Sequence, residues 1–231
     1  LIIYVNGDSH SAAAEAMNPH CFAEDDPMYQ HLGRKPHPDN LYVSYGCMVA
    51  NNWYGILDCD AESASSNDRI IRTTEEYLKS NNPDIVIIGW ATWEREEFLI
   101  DGEWYQFSGG IQGDPWPKHI MDRYKRWVVT ANPADRADYW HNRIYQLHQE
   151  FTQRNIAHVF FNTYSAFNHS FITVKDWGDN YLDPYNQQGT FYHWLKAHGH
   201  NTVNPNSYHF GPDAHRAWAE YLINHLTNSL T

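Results

Sequence analysis

Short apolar runs that stop at turn residues alternate along this chain with longer stretches whose apolar positions recur every three or four residues. Leu1-Ile2-Ile3-Tyr4-Val5 stops at Asn6-Gly7-Asp8, Ile85-Val86-Ile87-Ile88 follows Pro83-Asp84 and stops at Gly89, and His158-Val159-Phe160-Phe161 stops at Asn162-Thr163. Unbroken runs of this length fit strands buried on both faces, as in a parallel sheet covered by helices. Ile56-Leu57, ahead of the polar stretch 58–67, is a weaker strand candidate. Helical stripes lie between these runs: Ile70, Thr74, Tyr77 and Leu78 after a cap near Asn67; Trp140, Ile144, Leu147 and Phe151; and Ala214, Trp218, Tyr221, Leu222 and His225. The last helix has a marked start, with Gly211, then Pro212 at its first position and Asp213 in the first turn, where an acid complements the helix dipole. Residues 11–16, rich in Ala and Glu, predict another helix directly after the first turn.

Strands alternating with helices imply right-handed crossovers and an α/β class fold, three layers with a central parallel sheet, expected as one domain over residues 1–231. Ligands in such sheets bind beyond the carboxyl ends of the strands. Ser9, Ser65, Thr92 and the loop before the last helix should gather at that edge. Stretches 18–40, 98–133 and 164–206 lie outside this minimal scaffold. The second predicts a β-hairpin over 98–107 turning at Asp101-Gly102. The third is dense in aromatic residues, among them Trp177, Tyr181, Tyr185, Phe191, Tyr192 and Trp194.

Composition narrows the function classes. With 42% hydrophobic and 16% aromatic residues in 231, the chain can fill a core. A formal net charge of −12 with scattered Lys and Arg repels a phosphate backbone, so nucleic acid is not an expected partner. No apolar run approaches the ~20 residues that span a bilayer, which argues against a membrane partner. Cys21, Cys47 and Cys59 are too widely spaced for a metal knuckle or redox motif and are expected as reduced thiols. These features favour a soluble, cytoplasmic protein, with a secreted or virion-associated setting also compatible. His193, His198 and His200 lack the spacing and carboxylate partner of a zinc motif, and no metal or other cofactor is expected.

Two blocks at opposite ends of the chain carry chemistry. Gly7-Asp8-Ser9-His10 ends the first strand, and Asn206-Ser207-Tyr208-His209-Phe210-Gly211-Pro212-Asp213 precedes the last helix. A Ser hydroxyl is a poor nucleophile until an imidazole takes its proton, so the pair means more than either residue. The two blocks resemble the opening and closing motifs of the SGNH/GDSL hydrolase family. The resemblance implies a flavodoxin-like three-layer scaffold and a serine ester hydrolase, with Ser9 as nucleophile and His209 as base. The family's acid stands three residues before that His, where this chain has Asn206, which can fix the imidazole tautomer but cannot balance an imidazolium.

The family's middle blocks supply oxyanion donors, and both are altered. Ala64 stands at its usual Gly, and Gly89-Trp90-Ala91-Thr92 at its Gly-x-Asn-Asp. The donors implied here are the Ser9 and Ala64 amides and the Thr92 hydroxyl. An Ala keeps its N–H usable provided the turn does not demand a positive φ. Asp8, His10, Trp90, Arg95, Trp177, Tyr181 and Tyr185 are the residues expected at the substrate. The expected substrate is a small-molecule or carbohydrate ester, with carbohydrate O-acetyl groups favoured by the acidic surface and aromatic loops. A rival reading is a catalytically weak glycan-binding or structural module on the same scaffold, conceivable as part of a viral particle.

Overall fold

The computed structural model of the protein describes residues 1–22, 35–109, 111, 113–168, 170 and 172–229. In chain order the elements are β1 (Ile2–Gly7), α1 (Pro38–Tyr42), α2 (Tyr45–Asn52), β2 (Ile56–Cys59), α3 (Asn67–Tyr77), β3 (Ile85–Trp90), β4 (Arg95–Ile100) and β5 (Glu103–Ser108). They continue with α4 (Lys118–Thr130), α5 (Pro133–Gln153), β6 (Ala157–Asn162), β7 (Tyr181–Leu182), α6 (Phe191–Ala197) and α7 (Pro212–Ser229). Five strands form one sheet in the order β2-β1-β3-β6-β7, every pair parallel. Counted by sheet strands alone this is the doubly wound 2-1-3-4-5 order, whose switch point lies between β1 and β3.

Alternation along each strand builds the layers. Ile3 and Val5 of β1, Ile85 and Ile87 of β3, and Val159 and Phe161 of β6 face a cluster with Val49 of α2, Leu195 of α6 and Trp218 and Leu222 of α7. Tyr4, Val86, Ile88 and Phe160, one residue out of phase, face Ile70 and Ile71 of α3 and Trp140, Ile144 and Leu147 of α5. Helices therefore cover both faces, which explains why the strands read as continuous apolar runs. The antiparallel hairpin β4-β5 turns at Asp101-Gly102 as expected. Its Phe107 packs on Ile120, Met121 and Tyr124 of α4 as a small separate core.

Two sequence expectations need correction. Residues 11–16 form turns instead of a helix, with Ala13 and Glu15 at φ +52° and +63°. Stretch 164–206 is partly scaffold: Tyr181 and Leu182 pair with Phe160 and Phe161 as the edge strand, and Leu195 is fully buried under the sheet. The three cysteines form no disulfide and are half-buried. Among the described residues, no helix is long and apolar enough to cross a membrane.

Gly7 and Gly89 lie side by side in the β1-β3 register. A Cβ at either would come within 2.1 or 2.6 Å of Ser11 Oγ, so both glycines make room for the loop after β1 to fold down over the strand ends. Tyr45 clamps that loop, its hydroxyl donating to Ser11 Oγ at 2.8 Å.

Candidate active site

At the carboxyl ends of β1 and β3, a cleft of about 620 Å³ is lined by Asp8, Ser9, His10, Ala64, Thr92 and Arg95, with Tyr164, Tyr208 and His209 among its other walls. The two ends of the chain thus meet at one lip of the sheet, at the switch point where ligands bind in such folds. Ser9 is about 9% exposed. Asp8 anchors the turn that carries it, Oδ1 accepting from His10 N at 3.0 Å and Oδ2 from Thr163 Oγ1, also at 3.0 Å, at the end of β6.

His209 is held from the side the sequence did not indicate. Its Nδ1 lies 2.6 Å from Glu15 Oε2, and the same oxygen accepts from Ser207 Oγ at 2.5 Å, while His209 N donates to Ser207 Oγ at 2.9 Å. Burial pushes the Glu15 carboxyl up, but the hydrogen bonds from Ser207 and His209 and the charge of His209 outweigh it, leaving its pKa below the ordinary value. An ionised carboxylate only accepts, so the shared proton sits on Nδ1 and the Nε2 lone pair is left available as a base. No hydrogen bond joins the Ser9 hydroxyl to His209 among the described residues. Such catalytic bonds are often long before a substrate draws the groups together.

Asn206, expected as the orienting residue, does not occupy that place. It is exposed, its backbone N–H donates to Asn204 Oδ1 at 2.9 Å, and its side chain lines a neighbouring groove. The turn over 204–207 directs it away from the imidazole, while Glu15 fills the position at Nδ1.

Ser9, Ala64 and Thr92, the residues expected to supply oxyanion donors, line the one cleft. A buried ion pair, Arg69 Nη2 to Glu62 Oε2 at 2.8 Å, braces the loop before α3, with Glu62 N donating to Gly7 O at 3.1 Å and Arg69 Nη1 to Asp60 O at 2.8 Å. On that loop Ala64 sits at φ +70°, the left-handed conformation that the sequence expectation sets as the limit for an Ala here; the conformation costs Ala strain that a glycine would not carry, but it leaves the backbone N–H in place as a donor. Asn67 fastens the loop after β3: its Oδ1 accepts from Ala91 N at 2.9 Å and its Nδ2 donates to Ala91 O at 3.1 Å, which places Thr92 at the cleft. Among the described residues, the N–H groups of Ser9 and Ala64 have no internal acceptor. Arg95 adds positive charge, with Nη1 donating to Ser65 O at 3.2 Å and lying 3.8 Å from Asp8 Oδ2.

His10 lines the cleft with its ring centre 5.6 Å from that of His209. Burial lowers its pKa to about 4, so it is neutral at physiological pH. Four other expected substrate residues are elsewhere. Trp90 is buried against Phe160 in the α3-α5 layer. Trp177 and Tyr181 belong to the same core, Trp177 donating through Nε1 to Tyr185 Oη at 2.9 Å and Tyr181 through its hydroxyl to Asn162 Oδ1 at 2.6 Å. Tyr185 Oη also pairs with His141 Nε2 at 2.9 Å. These aromatic residues fasten the segment around β7 to α5, because pairing of β7 with β6 carries them to the α3-α5 face of the sheet. Tyr164 and Tyr208 supply the aromatic walls of the cleft instead.

No family model matches the chain, and no curated protein sequence matches it. Among solved structures it is similar to a carbohydrate esterase whose active site displays divergent catalytic and non-catalytic binding functions, with 14% identity and a TM-score of 0.44 over 98% of this chain and 64% of that one. A family 2 carbohydrate esterase plus carbohydrate binding domain from Corynascus thermopiles (Myceliophthora fergusii) gives 14% identity and a TM-score of 0.49 over 99% and 66%. A lipolytic protein of the G-D-S-L family from Desulfitobacterium hafniense DCB-2 gives 9% and 0.42 over 97% and 98%. The chain spans less than two thirds of the length of either esterase. At these identities and TM-scores the likenesses carry no argument about the chemistry, which rests on the site's own residues.

Proposed function

We propose that the protein is a serine ester hydrolase in which Ser9 attacks, His209 moves the proton and Glu15 orients and balances His209. The observation that carries this reading is the 2.6 Å contact of His209 Nδ1 with Glu15, in a cleft that Ser9 and His209 line together. A carboxylate on Nδ1 makes the opposite ring nitrogen a base and stabilises the imidazolium once it forms.

In the first half-reaction Ser9 Oγ bonds to the ester carbonyl carbon as its proton passes to His209 Nε2. The negative charge on the carbonyl oxygen is met by the Ser9 and Ala64 amides and the Thr92 hydroxyl, with Arg95 adding charge nearby. Collapse of the tetrahedral intermediate breaks the bond to the alcohol, which leaves with the proton from His209. Water then attacks the acyl-Ser9 ester with His209 again taking its proton, and the acid departs as Ser9 recovers its hydrogen. His10, neutral beside His209, forms part of the cleft wall without setting a second positive charge against the imidazolium.

A fluorophosphonate probe tests the nucleophile. The wild type should label and Ser9→Ala should not, with an unchanged circular dichroism spectrum; equal labelling of the two would refute the assignment.

A further inference from the structure

Beside the cleft lies a second groove of about 660 Å³, lined by Tyr192, Lys196, Asn201, Asn204, Asn206 and Tyr208 among others. The two hollows share Tyr208, which is 62% exposed. Three tyrosines form the divide. Tyr164 of the cleft, Tyr192 of the groove and Tyr208 of both stand with ring centres 4.9 to 6.3 Å apart. Ser207, which bonds Glu15, also lines the groove, so its floor adjoins the proposed catalytic histidine.

Its chemistry selects among occupants. Carboxamides and hydroxyls predominate, with aromatic edges and one cation, Lys196, whose ammonium donates to Asn201 Oδ1 at 3.5 Å. An acyl chain would leave the amides unpaired on desolvation, at a cost of about 1–3 kcal/mol for each buried group. A polyanion meets a protein of net charge −12 and a single lysine here. A neutral sugar chain satisfies both halves of the lining, its hydroxyls pairing with Asn side chains and its C–H faces resting on Tyr rings.

We infer that this groove is a saccharide subsite continuous with the cleft, so that the ester hydrolysed is carried on a neutral oligosaccharide spanning the Tyr208 divide. This rests on the ester-hydrolase reading of the cleft. Asn206, three residues before His209, thereby has a role in holding substrate, and Arg95 and Thr92 serve the ester end of the same ligand.

Two measurements separate the subsite from the chemistry. In Ser9→Ala, which removes turnover, unacetylated xylo-oligosaccharides of one to six sugars are titrated by calorimetry. Affinity should rise at least tenfold with chain length, and Asn206→Trp in that background, filling the groove, should abolish the gain. With the nucleophile intact, Asn206→Trp should leave p-nitrophenyl acetate hydrolysis within twofold of wild type while raising KM at least tenfold on acetylated xylohexaose. No length dependence in Ser9→Ala, or a length dependence that survives Asn206→Trp, overturns the subsite. A wild type inert to p-nitrophenyl acetate that still binds the hexaose retains the subsite and overturns the hydrolase instead.

Discussion

Replacing Glu15 by Gln keeps the shape of the side chain and removes its charge. Two opposite unit charges about 4 Å apart gain ~1 kcal/mol in water and ~4 kcal/mol at an effective dielectric near 20. The side chains of His209 and Glu15 are 21% and 29% exposed, which places the pair between these limits, at about 2–3 kcal/mol of imidazolium stabilisation. In rate that is ~30- to 150-fold. Loss of the fixed tautomer adds to it, because an amide can present its N–H to Nδ1 and turn the ring's proton toward Ser9; the equivalent change in a serine protease costs ~10⁴ in kcat. Glu15→Gln should therefore lower kcat on p-nitrophenyl acetate by about 10²- to 10⁴-fold with KM nearly unchanged. Asn206→Ala, made in parallel, should stay within twofold of wild type. A kcat for Glu15→Gln within threefold of wild type, or a larger loss in Asn206→Ala, would refute the placement of the acid.

Ala64→Gly should stabilise the fold by about 0.5–1 kcal/mol, the left-handed cost of ~1–2 kcal/mol less the extra unfolded-chain entropy of Gly, and raise the urea midpoint without loss of turnover. Arg69→Ala leaves Glu62 buried without its cation and should cost ~3–5 kcal/mol, most of it recovered in the double variant Glu62→Leu with Arg69→Met; a double variant no better than the single would contradict this. Acid should destabilise the protein through His10 and His215, whose burial lowers their pKa values to about 4 and about 3. Below the ordinary value near 6.5 the unfolded chain takes up protons that the native state refuses, so stability is full above that pH and falls beneath it. At pH 5 the two together should cost about 4 kcal/mol, and equal urea midpoints at pH 7 and pH 5 would exclude the effect.

The parts of the site legible in the sequence are those that strand grammar fixes. An apolar run ending at Asn6-Gly7-Asp8 puts Ser9 at a strand terminus, and Gly211-Pro212-Asp213 puts His209 just ahead of a helix; parallel winding then brings both to one edge. Trp177, Tyr181 and Tyr185 lie away from the cleft because nearness to His209 along the chain is not nearness in space. Two residues of β7 pairing are enough to send Trp177 and Tyr181 to the α5 layer, while Tyr164 and Tyr208, far apart along the chain, converge at the cleft. Glu15 was hidden for a different reason. Composition at 11–16 favours a helix, yet Ala12, Ala13 and Ala14 are buried and the amides of Ala12, Ala13 and Ala14 turn back onto the carbonyls of Asp8, His10 and Ser9.

That turn puts Ala13 and Glu15 at positive φ, as Ala64 is across the cleft. Each non-glycine residue held there costs on the order of 1 kcal/mol and persists only where its surroundings over-determine it. Local propensity cannot announce such a position, since the packing that enforces it is non-local: Tyr45 on Ser11, and two glycines that clear the strand ends. The requirement on the acid is itself weak, for a carboxylate has only to reach Nδ1 from the side away from the nucleophile. A loop following Ser9 meets it as well as a loop preceding His209. An Asn at position 206 therefore says nothing about whether the imidazole is oriented, and the carboxylate is better sought among the residues that the turn of the proposed nucleophile, Ser9, folds back toward His209.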